Sequence, residues 1–246
     1  MDDGTDLSGA TLRDCLLRGT RLANAWVEDV SITGMVLGLV VNGVDVTAYV
    51  ESELDRQYPE RAQARDAATA DELRAAWGRI SELWSETVSR AERLPEAARF
   101  ERVDGEWSIA ETLRHLVFAT DAWAGRTILD RETPFHPYGL SQTEYPSESA
   151  AAIGLDADAR PSWAEVRNAR RDRQAHVDGI FGRLDDSDLE RTCRRSPAPG
   201  YPEEEHPTVG QCLHVVLGEE CEHRRYAERD LAVLESRLIE GSVRDA

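Results

Sequence analysis

One stretch of the chain, TVGQCLHVVLGEECEHRRYAERDL, sets carboxylates and imidazoles at helical spacing. At about 100° per residue, an apolar stripe runs through Leu213, Val216, Ala227, Leu231 and Leu234, and Glu220 falls close to its middle. His223 falls toward one edge, with Glu219 one helical turn before it on the same side. A carboxylate and an imidazole at i and i+4 can chelate one divalent ion from a single helix. A carboxylate facing a core is costly unless it is paired or bound to metal. Two readings of Glu219 and His223 are therefore open: part of a metal site, or a structural Glu–His pair with no metal. His214 lies nine residues from His223 and points about half a turn away, so a straight helix keeps it out of any shared site. Cys221 also points away from His223 and reads as a packed thiol. Arg224, Arg225 and Arg229, beside acidic neighbours, read as surface pairs worth little each.

A second imidazole sits in WSIAETLRHLVFATDAW. His115 points away from the stripe of Leu113 and Val117, toward the side of Phe118, Ala119 and Ala122. A helix covered on both sides would aim it inward, and the periodicity leaves this open. His136 and His206, beside Pro137 and Pro207, read as solvated loop histidines. Trp107 and Trp123 read as core and not as cofactor stacking. GxGxxG, Walker A and GxSxG are all absent, so nucleotide and α/β-hydrolase readings lack support.

Four capping boxes mark the elements that must position these groups: Thr69 with Glu72, Ser108 with Glu111, Ser162 with Glu165 and Thr208 with Gln211. Each precedes an apolar pattern of helical period, carried for example by Leu73, Trp77, Ile80 and Trp84 in the first and by Val166, Val177 and Phe181 in the third. Such stripes need partner helices, so residues 69–246 read as a four-helix bundle in a mainly α protein. Two long connections, residues 130–161 and 186–207, are rich in Pro, Gly and Ser, and would cross the bundle ends and roof a pocket. Residues 51–68, polar and without strand signal, read as a linker.

Residues 1–50 follow another rule. Leu7, Leu12, Leu17, Leu22, Val27, Ile32 and Leu37 recur every fifth position. A smaller or apolar residue stands two before each, from Thr5 to Met35, and Gly, Asp or Asn stands two after the first six, Asp14 among them. A fixed short period signals a solenoid. This stretch resembles the pentapeptide-repeat family, which implies a short right-handed β-helix segment before the bundle, serving as a cap, a docking element or a homodimer contact. Asn42-Gly43, between β-branched runs, suits a two-residue hairpin turn.

Composition narrows the function. Asp plus Glu number 47 against 29 basic residues, for a net charge of -18 and a pI near 4.7. That balance argues against nucleic acid and anionic lipid as partners. No apolar run approaches the roughly 20 residues that span a bilayer. MDDGTDLSG lacks the basic and apolar regions of a secretory signal, and the four cysteines form no CxxC pair, so a cytoplasmic protein with reduced thiols is expected. Every basic residue is Arg, a bias that fits GC-rich coding as in actinobacteria.

The helix around His115, together with HVVLGEECEHRRYAERDLAVLE, resembles the DinB superfamily over about residues 69–240. That group includes thiol-dependent transferases and the mycothiol-dependent maleylpyruvate isomerase domain. The resemblance implies a four-helix bundle that holds a divalent metal, zinc or nickel foremost, on three His. By position the ligands would be His115, Glu219 and His223, with Glu219 standing where the family has His. Glu220 is the alternative carboxylate, preferred by the helical wheel. Two His and one Glu still suit zinc, nickel, manganese or iron. The function implied is a thiol-dependent S-transferase, with mycothiol as candidate co-substrate, or a metal-dependent hydrolase, acting on a small molecule. The alternative is a non-catalytic binding or assembly module.

Overall fold

A computed structural model describes residues 6–13, 15–143, 145–198 and 206–244. Thr5 and Asp14 of the repeat, and residues 199–205 of the second long connection, lie outside the described residues. The chain divides into two compact units, Met1–Ala48 and Tyr49–Ala246.

In the first unit the β-helix expected for the repeat is not found. Among the described residues the strands are β1 (Val40–Val41) and β2 (Val44–Asp45), which form one antiparallel hairpin. A period of five is nonetheless present in the backbone. Gly9, Gly19, Asn24, Asp29 and Gly34 all have positive φ. In a four-sided coil each side finds its hydrogen-bond partner about twenty residues along, and seven units make fewer than two coils. Each side would therefore have one neighbour at most, and a ladder of two short strands is marginal by itself. The hairpin turn is as its dipeptide requires: Asn42 and Gly43 have φ of 49° and 83°, the left-handed pair of a type I′ turn.

The second unit is helical. The linker expected over residues 51–68 holds two helices instead, most of α1 (Thr47–Gln57) and all of α2 (Pro59–Asp66). Proline at the first position of α2 starts that helix, and the side chains it and the following turn bury are Glu60, Ala64 and Ala67, beneath a charged exterior. An alanine stripe carries little hydropathy, which is why the stretch reads as linker. Next come α3 (Ala70–Glu92), α4 (Ile109–Thr120), α5 (Ser147–Ala152), α6 (Trp163–Phe181), α7 (Asp186–Leu189) and α8 (Val209–Arg244).

The four expected capping boxes all form, at Thr69, Ser108, Ser162 and Thr208. Helices α3, α4, α6 and α8 pack around one core that includes Trp77, Ile80, Trp84, Leu113, Phe181 and Leu213. Each such side chain contributes roughly 1.5–3 kcal/mol by leaving water. Every residue of α4 except Glu111 is buried, so this helix is covered on all sides. Beyond Thr120 it widens into one π-helical stretch, Asp121–Ile128. The connection after it packs back along α4: Leu140 N–H donates to Arg114 O, Arg114 donates to Tyr138 O, and Phe118 meets Phe135 and Tyr145. Pro134 comes so close to Gly125 that an added Cβ would lie 3.0 Å from its Cβ, so a side chain there would require the connection to shift by a few tenths of an ångström. None of the described helices is long and apolar enough to cross a membrane.

Candidate metal centre

His115, Glu219 and His223 converge. One ligand atom from each lies within 4.8 Å of the other two. Glu219 Oε2 is 3.3 Å from His115 Nε2 and 3.1 Å from His223 Nε2. Ligands held at 2.0–2.2 Å from a shared cation stand roughly 3–3.5 Å apart, which these two separations match.

The local sequence explains the convergence. Residues 219 and 223 share one face of α8 at i, i+4 spacing. His115 turns away from the stripe of Leu113 and Val117, yet α4 is enclosed, so its second face also points into protein. The 130–161 connection completes the enclosure and brings Leu140 O to 2.9 Å from His115 Nδ1. A carbonyl there holds the ring's orientation and directs Nε2 at the cluster. Trp107, half-buried, lies 4.7 Å from the His115 ring and stacks on His223 at 6.0 Å. Tyr226 meets His223 edge-on at 6.2 Å.

Electrostatics set the charge states. Burial pushes the Glu219 carboxyl up, but hydrogen bonding to His115 and His223 outweighs it and holds the group well below the usual carboxylate range. Burial lowers His223 more than its bond to Glu219 raises it. The centre thus combines a carboxylate anion with an imidazole that favours its neutral form, as metal ligation requires.

One feature of the hydrogen bonding calls for a further positive charge at the ring. Both partners of the His115 ring are acceptors, a carbonyl at Nδ1 and a carboxylate at Nε2. A neutral imidazole carries one N–H and satisfies one of them. Either a second proton or a cation between Nε2 and the carboxylate satisfies both.

The other sequence candidates fall elsewhere. Glu220 faces the core as its wheel position implies, but it pairs with Arg170 of α6 and takes no part in the cluster. His214 Nδ1 is 3.1 Å from Ala64 O. His136 accepts the Tyr138 N–H, and His206 is exposed. Cys221 is buried, and burial pushes its thiol up to about 12. Two readings need correction. Trp107 walls the cluster and is not simply core. Its place just before the Ser108 cap was the available signal, because a residue there packs back against the first turns of its helix. Arg224 is not a plain surface pair: it bonds buried Glu60 at 2.9 Å and the Thr87 hydroxyl at 3.0 Å. The Leu140 carbonyl is backbone and left no sequence signal.

No curated protein matches the chain significantly. A crystal structure of a protein from Streptococcus pneumoniae is 16% identical and similar over 66% of this chain and 90% of that chain, with a TM-score of 0.47. The sequence pattern of the DinB superfamily matches residues 79–227, a span that starts within α3 and contains all three converging residues. By that match, the chain belongs to the DinB superfamily.

Proposed function

We propose that this chain is a DinB-type protein that holds one divalent metal, zinc or nickel, on His115, Glu219 and His223, and uses it on a small molecule. The observation that carries the reading is the His115 ring with an acceptor at each nitrogen. Two His and one Glu form a donor set that suits these ions. When bound, the cation supplies Lewis acidity that lowers the proton affinity of a thiol or water. Thiol-dependent S-transfer, with mycothiol as candidate co-substrate, and hydrolysis both use that property. The chain's own groups do the positioning. Leu140 O orients His115, Glu219 compensates positive charge in the cluster, and the Trp107 ring shields one side of both imidazoles from water. Such chemistry belongs with a reducing, cytoplasmic setting in which small thiols persist.

A second reading has its own support. The contacts of Glu219 to both imidazoles are also ordinary hydrogen-bond distances. In that case the cluster is structural and the protein is a non-catalytic binding or assembly module. Elemental analysis of the purified chain separates the two. Near one divalent ion per chain, lost in His115→Ala and in His223→Ala, supports the metal reading. A metal-free protein whose stability is unchanged by both substitutions overturns it.

A further inference from the structure

Residues 6–48 bury no side chain among those described. Fourteen large apolar residues of this stretch are exposed, with Trp26 at 91% and Met35 at 90%. The repeat positions, Leu7 and every fifth residue through Leu37, are each more than half exposed. Val36, Leu39 and Val46 are only partly buried, so a unit of this kind gains little from burial by itself, and apolar surface of this extent marks an interaction site.

Three observations identify the occupant. The first is area. Each such side chain offers on the order of 100 Å² of apolar surface, so about half of the fourteen, those on one side of the unit, approach the roughly 800 Å² per partner of a standard interface. The second is spacing. Positive φ recurs at Gly9, Gly19, Asn24, Asp29 and Gly34, so the surface has a five-residue period, and a surface with the same period matches it best. The third is charge. Residues 6–27 hold Arg13, Arg18 and Arg21 against Asp6 and Asp14, whereas residues 28–45 hold Glu28, Asp29 and Asp45 and no basic residue. A two-fold contact sets the first half of one copy against the second half of the other, so opposite charges meet twice. We infer that residues 7–37 form a self-association surface whose partner is a second copy of this chain, docked antiparallel through the same residues. This inference is independent of the metal reading.

Sedimentation of the full chain across concentrations up to about 100 µM tests it. The wild type is expected to be a dimer, and Leu17→Glu with Leu22→Glu a monomer that retains its helical circular dichroism. Glu28→Arg with Asp29→Asn, which tolerates the positive φ there, should weaken association at least about tenfold, and adding Arg18→Glu with Arg21→Glu to the same chain should recover most of that loss. The recovery guards against misfolding as an explanation, since a damaged chain would not regain association with two further changes. A monomeric wild type at about 100 µM overturns the inference. So does a dimer that the leucine substitutions leave intact, or a charge reversal that the compensating pair fails to rescue.

Discussion

Replacing Glu220 with Leu should be among the most damaging single changes in the helical unit, and replacing its partner as well should undo the damage. Glu220 is 1% exposed and Arg170 is 3% exposed, and Arg170 Nη2 donates to both carboxylate oxygens. Arg170 Nη1 is buried with no partner, so the guanidinium depends on Glu220 for its compensation. Glu220→Leu would strand that cation in the core, which costs about 3–5 kcal/mol. For a unit of about 200 residues, each kcal/mol lowers Tm by roughly 2–4 °C, so a fall of roughly 6–20 °C is expected. Arg170→Met strands the carboxylate instead and should cost a similar amount. The double variant removes both charges and should lie within about 1 kcal/mol of wild type, or above it. Urea unfolding followed by circular dichroism gives the four values of the cycle, and elemental analysis of each variant shows whether metal is retained. A single substitution costing under about 1 kcal/mol, or a double variant as unstable as the two losses summed, would refute the reasoning. Loss of metal from a stable double variant would mean that the Glu220–Arg170 pair positions Glu219 and His223.

Three further expectations follow from named groups. Glu219→His restores the three-His set of the family and should keep near one ion per chain in elemental analysis, whereas Glu219→Ala should lower it. Burial raises the buried Asp121 carboxyl from 3.8 to about 6, against the lowering by Arg173, so it binds its proton more tightly folded than unfolded. Its contribution is largest below pH 3.8, falls by about 3 kcal/mol as pH rises to about 6, and is flat above. Asp121→Asn lacks this fall, so the stability difference between variant and wild type should change by about that amount between pH 4 and 6.5, and a constant difference would contradict the assignment. Cys15 is exposed and the other three thiols are buried, so Ellman's reagent should titrate one thiol quickly in the native protein and four in denaturant.

The capped helices and two of the three converging side chains were legible because both depend on short-range spacing. A capping box spans four residues, and Glu219 and His223 are one turn apart, so local periodicity suffices for either. His115 was less legible because its direction depends on how many sides of α4 are covered, a tertiary fact. The Leu140 carbonyl was illegible altogether, being backbone from a connection whose course no pattern specifies. The missed helices over residues 51–68 have a different cause. α1 buries no side chain and α2 buries Glu60 and Ala64, and alanine supports a helix by propensity while adding almost nothing to an apolar stripe. In the first unit the period of five was legible and survives in the backbone, but period alone does not make a sheet. A stable sheet requires three or more strands on a side, and the repeat supplies at most two.

Two adjacent carboxylates show how one helix serves two tasks. Glu219 and Glu220 differ by about 100° around α8, enough to place one at the imidazole cluster and the other against Arg170. The wheel singled out Glu220 because it lies within the apolar stripe, and that is where a structural ion pair belongs. A ligand instead belongs at the edge, where a side chain of the neighbouring helix can reach it. The Glu220–Arg170 pair then sets the rotation of α8 relative to α6, and with it the direction in which Glu219 and His223 face α4. A rotation error of one residue would exchange the two carboxylates and leave Arg170 without its counter-ion, so the buried pair acts as a register lock for the cluster beside it.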